Sequence, residues 1–138
     1  MELDKLGVII KIINTNLHKQ VNNRLKDIDL SITQGIALIC LDEAENKELP
    51  IKALEKIFET AQPTTLGVIN RLEQKNLVTT HLTQQRTKIV KITEEGCGMI
   101  EGIKIHIKEV EKLFFKDFTE GEKILLLELL EKAKNNIL

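Results

Sequence analysis

A chain of 138 residues, 42% hydrophobic and 30% charged, is long enough for one domain with a real core. Its longest apolar runs, such as Ile124 to Leu127, are too short to span a membrane, and the N-terminus has no basic segment followed by an apolar one. Two cysteines fifty-seven positions apart then predict free thiols in a reducing cytoplasm rather than a disulfide framework.

Net charge is −1, but it is divided unevenly. Between Thr60 and Ile92 stand five basic residues (Arg71, Lys75, Arg86, Lys88, Lys91) and one acid, Glu73, so this segment carries +4 and the remainder −5. Screening cuts off charges beyond roughly 8–10 Å, so local charge governs the attraction of phosphates.

Leu3, Leu6, Ile10, Ile13, Leu17, Val21 and Leu25 recur every three or four residues without a proline, predicting one long amphipathic helix over about 3–27. A turn follows at Asp27 to Leu30. Ser31 then reads as an N-cap, with Gln34 completing a capping box for a second helix that carries Ile32, Ile36, Ile39, Cys40 and Ala44. Pro50 suits the first turn of a short third helix ending near Phe58. A fourth starts at Thr60 or Ala61, admits Pro63 in its first turn, and runs to about Lys75, with Asn76 as a left-handed C-cap. From Leu77 to Ile92 β-branched residues accumulate, predicting a hairpin with Thr83-Gln84-Gln85-Arg86 at its tip. Thr93 caps a fifth helix to about Lys116, with Gly96, Gly98 and Gly102 loosening its first two turns, and Thr119 caps a sixth toward Asn135.

Helix, turn, helix and hairpin in this order predict a mainly α protein with a small β-hairpin wing: a winged helix-turn-helix, a DNA-reading element. On the fourth helix Thr65, Val68, Ile69 and Leu72 fall on the inward side. The opposite side, opened by Gln62, Pro63 and Thr64, carries Gly67, Asn70 and Gln74, flanked by Leu66 and Arg71. An amide such as Asn70 can pair with an adenine edge, whereas Arg71 and Lys75 would find phosphates. Arg86, with Lys88 nearby, would reach the adjacent minor groove from the wing.

The terminal helices are longer than such a core needs and rich in Ile, Leu and Phe, including Phe114, Phe115 and Phe118. Pairing two chains through them would bury these faces. The chain therefore divides into a DNA-binding lobe over 31–93 and dimerisation helices over 1–28 and 97–138, within one domain over 1–138.

Three short stretches extend this reading. Leu30-Ser31-Ile32-Thr33-Gln34, Leu72-Glu73-Gln74-Lys75-Asn76-Leu77-Val78 and Ile92-Thr93-Glu94-Glu95-Gly96 resemble, in order, the opening of the second helix, the exit from the recognition helix and the wing-to-helix join of the MarR family. The resemblance covers essentially the whole chain. It implies the order α1-α2-α3-α4-β-β-α5-α6, an obligate homodimer, and a repressor that binds a pseudo-palindromic operator in double-stranded DNA until a small molecule or oxidation releases it. The family often has arginine where this chain has Gly67 and a basic residue where it has Thr80. Its wing usually carries an Asp-x-Arg motif, which here reads Gln84-Gln85-Arg86, in a wing about two residues short. These departures imply weakened DNA binding, or a winged helix that serves instead as a protein–protein module or anti-repressor.

With no Tyr or Trp and four Phe, an effector pocket would be lined by aliphatics and would suit a lipophilic or anionic small molecule. Cys40, among Ile36, Ile39 and Leu41, reads as an inert core thiol; Cys97 lies near a helix N-terminus, where Glu94 and Glu95 oppose activation. His18, His81 and His106 lack ligand spacing, and no nucleophile–base constellation can be assembled, so neither metal, cofactor nor enzymatic activity is expected.

Overall fold

Among the described residues the alternation of helical and strand periods resolves into six α-helices and a small sheet. The computed structural model describes residues 3–58 and 62–138, without the side chains of Leu3, Gln62 and Pro63. In chain order the elements are α1 (Leu3–Leu25), α2 (Ile32–Glu43), β1 (Glu48–Pro50), α3 (Ile51–Phe58), α4 (Gln62–Gln74), β2 (Val78–Leu82), β3 (Lys88–Ile92), α5 (Glu94–Phe114) and α6 (Glu120–Ile137). The expected start of the fourth helix at Thr60 or Ala61 lies outside the described residues.

Local chemistry sets most boundaries. A 3₁₀ turn at Lys26–Ile28 ends α1 two residues earlier than the apolar spacing suggests, and Asp29 closes it in the left-handed region at φ 57°. Ser31 and Gln34 form the capping box of α2, and Thr119 and Glu122 form that of α6. The Thr93 hydroxyl accepts from Gly96 N, and Asn76 is left-handed at φ 62°, as a C-cap after α4 requires.

Pro50 departs from its expected place. It ends β1, an edge strand, and α3 begins one residue later. Three residues are too few for a legible alternation, and proline is tolerated at a sheet edge. The sheet order is β1-β3-β2, both pairs antiparallel, with Pro50 opposite Ile89 and Val78 opposite Ile92.

The core lies under the winged-helix lobe, where Leu38, Leu41, Leu54, Ile69, Leu72, Val90 and Ile103 are fully buried. On α2 the buried face is Gln34, Gly35, Ala37, Leu38 and Leu41, and the expected core thiol Cys40 is not part of it. That helix is apolar on both sides, so its sequence does not say which face α4 and α5 will cover. Cys40 is half-buried rather than core, and burial, aided by Glu43, raises its thiol pKa and keeps it protonated.

Gly96 does not loosen α5. A Cβ there would stand 2.3 Å from the Leu77 carbonyl and 2.6 Å from Ile92 Cγ1, so this glycine lets α5 start hard against the exit from α4. Gly98 lies within the unbroken α5 and has open space around it.

Away from the lobe the chain is poorly covered. No residue of α6 is buried. Val8, Ile9, Ile10 and Ile12 of α1 are half-exposed, as are Leu125, Leu127, Leu129 and Leu130 of α6. Phe114, Phe115 and Phe118 stack on one another at the α5–α6 turn, with ring centroids 4.8–6.2 Å apart.

Candidate nucleic-acid interface

Thr65, Ile69 and Leu72 are completely buried, and Leu66 and Val68 pack partly against the core, so one side of α4 is fixed. That leaves Thr64, Asn70, Arg71 and Gln74 exposed, with Gly67 between them at helical spacing. A Cβ at Gly67 would meet nothing within 4 Å, so no packing in the fold requires glycine there. Gln62 and Pro63 open α4, and their side chains lie outside the described residues.

The C-terminal end of α4 is tied down on three sides. The Thr80 hydroxyl of β2 donates to Glu73 Oε2 at 2.9 Å. The Thr93 hydroxyl, at the head of α5, donates to the Asn76 carbonyl at 2.7 Å. Lys75 turns inward, its amine donating to Gln34 Oε1 at 3.0 Å and to the Asp29 carbonyl. The sequence reading gave Lys75 to a phosphate; the signal that placed its amine elsewhere is a 41-residue separation from Gln34, invisible to local pattern.

The wing tip is a tight turn. Arg86 N donates to the Thr83 carbonyl at 2.9 Å, Thr83 N to the Thr87 carbonyl at 2.9 Å, and Thr87 N to Thr83 Oγ1 at 3.1 Å. Arg86 is left-handed at φ 62°, where glycine or asparagine is usual, and its side chain is exposed. Among the described residues no carboxylate lies within ion-pair distance of Arg71, Arg86 or Lys88. Lys88 is half-buried on β3. The fold thus brings Asn70, Arg71 and Gln74 to one helix face and holds Arg86 on a separate projection.

Behind this face, Lys47 Nζ meets Asp42 Oδ1 at 2.8 Å, and Cys97 Sγ stands 3.8 Å from the same oxygen. The hydrogen bond from Lys47 holds the Asp42 carboxyl below the usual carboxylate range, and the same bond raises the Lys47 amine. Sequence alone did not indicate this cluster. Among the described residues no group of three or more His, Cys, Asp or Glu could hold a metal, and no helix is long and apolar enough to cross a membrane.

No protein-family model matches the sequence. Solved structures do match in shape. A transcriptional regulator (MarR family) from Rhodococcus sp. RHA1 superposes with a TM-score of 0.87 at 18% identity, covering 96% of this chain and 95% of that one. The chain has the MarR winged-helix fold. A mutant MarR from E. coli, complexed with operator DNA, matches at 0.82 and 22% identity over 94% and 93% of the two chains. An S. aureus MepR–DNA complex matches at 0.83 and 20% identity over 95% and 97%. In this fold the antiparallel sheet that ends in the β2–β3 hairpin is the wing.

Proposed function

We propose that the chain is a sequence-specific transcriptional regulator of the MarR type, a homodimer that binds a pseudo-palindromic operator and is released by a small effector. The observation that carries the reading is the exposed face of α4, with Asn70, Arg71 and Gln74 free for a partner while the opposite side of the helix is locked into the core. Unpaired Arg86 on the wing supplies a second, cationic contact. The E. coli MarR and S. aureus MepR complexes, which share the fold and contain DNA, support this assignment.

Dimerisation is supported by the uncovered apolar faces of α1 and α6. Ile13, Leu17, Val110, Phe114, Leu127 and Leu130 border an apolar groove of about 350 Å³ between α1, α5 and α6. A second copy would bury this surface and place two lobes, each spanning 31–93, side by side, with 1–28 and 97–138 as the pairing region. An aliphatic effector site along α1 and α5 would change the spacing of the two α4 helices by shifting the population of dimers. A second reading, a protein–protein module or anti-repressor, is favoured by one observation: Gly67, Thr80 and Gln84 put no charge on the reading surface, and the Thr80 hydroxyl is spent on Glu73.

The test is binding of the purified protein to a fragment spanning its own promoter, beside a scrambled fragment, at two salt concentrations. Tighter binding to the promoter that weakens steeply with salt is expected. Equal binding to both fragments would overturn the operator reading in favour of the partner-binding one.

A further inference from the structure

Lys75 lies just beyond α4, where its charge suggests a phosphate ligand, yet its amine is committed to the protein. It donates to the Asp29 carbonyl, at the left-handed corner between α1 and α2, and to Gln34 Oε1, with the Asp29 carboxylate 3.7 Å away. Gln34 is buried, 6% exposed, and the same Oε1 also accepts from Ser31 N at 3.2 Å as half of the α2 capping box. Asn22 of α1 accepts from Ile32 N at 3.0 Å in the first turn of α2. A continuous polar path therefore runs from α1 through the start of α2 and the Lys75 amine to the end of α4. Glu73–Thr80 and Asn76–Thr93 tie that end to the wing and to α5, so Lys75 is its tie to the α1–α2 corner.

An ammonium has three donors. Two of them are spent on acceptors within the protein and the Asp29 carboxylate, 3.7 Å away, competes for the third, so drawing this amine over to a phosphate would loosen the tie that holds the helix. We propose that Lys75 is a positioning residue, setting the placement of α4 against the α1–α2 corner, and that it neutralises no phosphate when DNA binds. The inference rests on the DNA-reading proposal for α4 and names the residue that fixes the placement of that helix.

The experiment compares wild type, Lys75→Met, Lys75→Arg and Lys75→Gln on promoter and scrambled fragments across a salt series, well below each melting temperature. Lys75→Met should lower the promoter-to-scrambled affinity ratio roughly 2–30-fold while leaving the salt slope of both fragments unchanged. Lys75→Arg, which can still reach both acceptors, should restore the ratio. If the Met variant does not fold, Lys75→Gln, which is uncharged and one atom shorter but keeps an amide NH2, carries the same expectation. A slope reduced by about one, with both fragments weakened alike, would make Lys75 a phosphate ligand and overturn the proposal. A lower melting temperature with ratio and slope both unchanged would also overturn it, leaving a merely stabilising contact. Should the wild type not distinguish promoter from scrambled DNA, the operator reading fails, but the slope on scrambled DNA still decides whether Lys75 meets a phosphate: unchanged in the Met variant upholds that it does not, and reduced by about one refutes the proposal.

Discussion

Gly96→Ala tests whether the start of α5 is as closely fitted as its geometry requires. The added methyl would stand 2.3 Å from the Leu77 carbonyl and 2.6 Å from Ile92 Cγ1, against an ordinary van der Waals contact of 3.4–4 Å. One neighbour is backbone, so the helix start must move by about 1 Å relative to the α4 exit. That shift strains Thr93 N to Leu77 O (3.0 Å), Thr93 Oγ1 to Asn76 O (2.7 Å) and Gly96 N to Thr93 Oγ1 (3.0 Å). Overpacking costs about 1–3 kcal/mol and a lost hydrogen bond about 1 kcal/mol, while alanine regains up to about 1 kcal/mol of helix preference. The net is a destabilisation of roughly 2 kcal/mol, or about 7 °C in melting temperature for a chain of this length. Calorimetry at fixed protein concentration measures it, because association shifts the apparent transition. Gly98→Ala is the internal control: nothing lies within 4 Å of its Cβ, so it should be stabilised by up to about 1 kcal/mol and melt higher. If Gly96→Ala melted at or above wild type, the close approach between α5 and the α4 exit would be wrong.

Arg86→Gly should separate stability from binding. It relieves a left-handed residue, gaining on the order of 1 kcal/mol, yet removes the wing charge, so melting temperature should rise while the salt slope of DNA binding falls by about one; a tighter complex would exclude Arg86 from the interface. Asn70→Ala should flatten base preference at one position by roughly 1–3 kcal/mol, read by competition among single-base operator variants, and an unchanged preference would remove Asn70 from the reading set. Lys47→Met should show its effect as a pH window. The depressed Asp42 pKa gives stability that is lost as pH falls through it, and the raised Lys47 pKa gives stability that is lost as pH rises through it. The wild-type advantage in melting temperature should therefore be flat from about pH 5 to 9 and shrink at both extremes. It should also shrink with salt, because the pair is exposed.

What could be read before folding was whatever is encoded within a few neighbouring residues. The capping box at Ser31, the cap at Thr119, the left-handed Asn76 and the Thr83–Arg86 tip each depend on residues within a few positions of one another. The inward face of α4 followed from its period alone. Features set by distant partners were not legible. β1 exists because Glu48–Pro50 finds β3 some forty residues on, and the tight seat of Gly96 depends on the Leu77 carbonyl. Cys40 was placed in the core because both sides of α2 are apolar, and the inward turn of Lys75 answers to Gln34 across the lobe. For the candidate site, residue types were visible, but their commitments to one another were not.

The small strand β1 sets how far the wing can bend. It flanks β3 at Ile89–Lys91, so there the sheet is three strands wide; past Ile89 only β2 and β3 continue. Arg86 lies three residues beyond that clamp, an overhang of about 10 Å at the rise of a β-strand. Such a stub behaves mechanically as a short cantilever, whose stiffness climbs steeply as its free length shrinks. Little entropy is left to lose when its tip is immobilised, but it has little compliance with which to follow a displaced groove. One extra base pair between half-sites advances the second by about 3.4 Å and turns it by roughly 35°. If the chain reads DNA as a dimer, as proposed, so short a lever would tolerate little variation in half-site spacing, and phasing would be set by the body of the protein rather than by the fingertip.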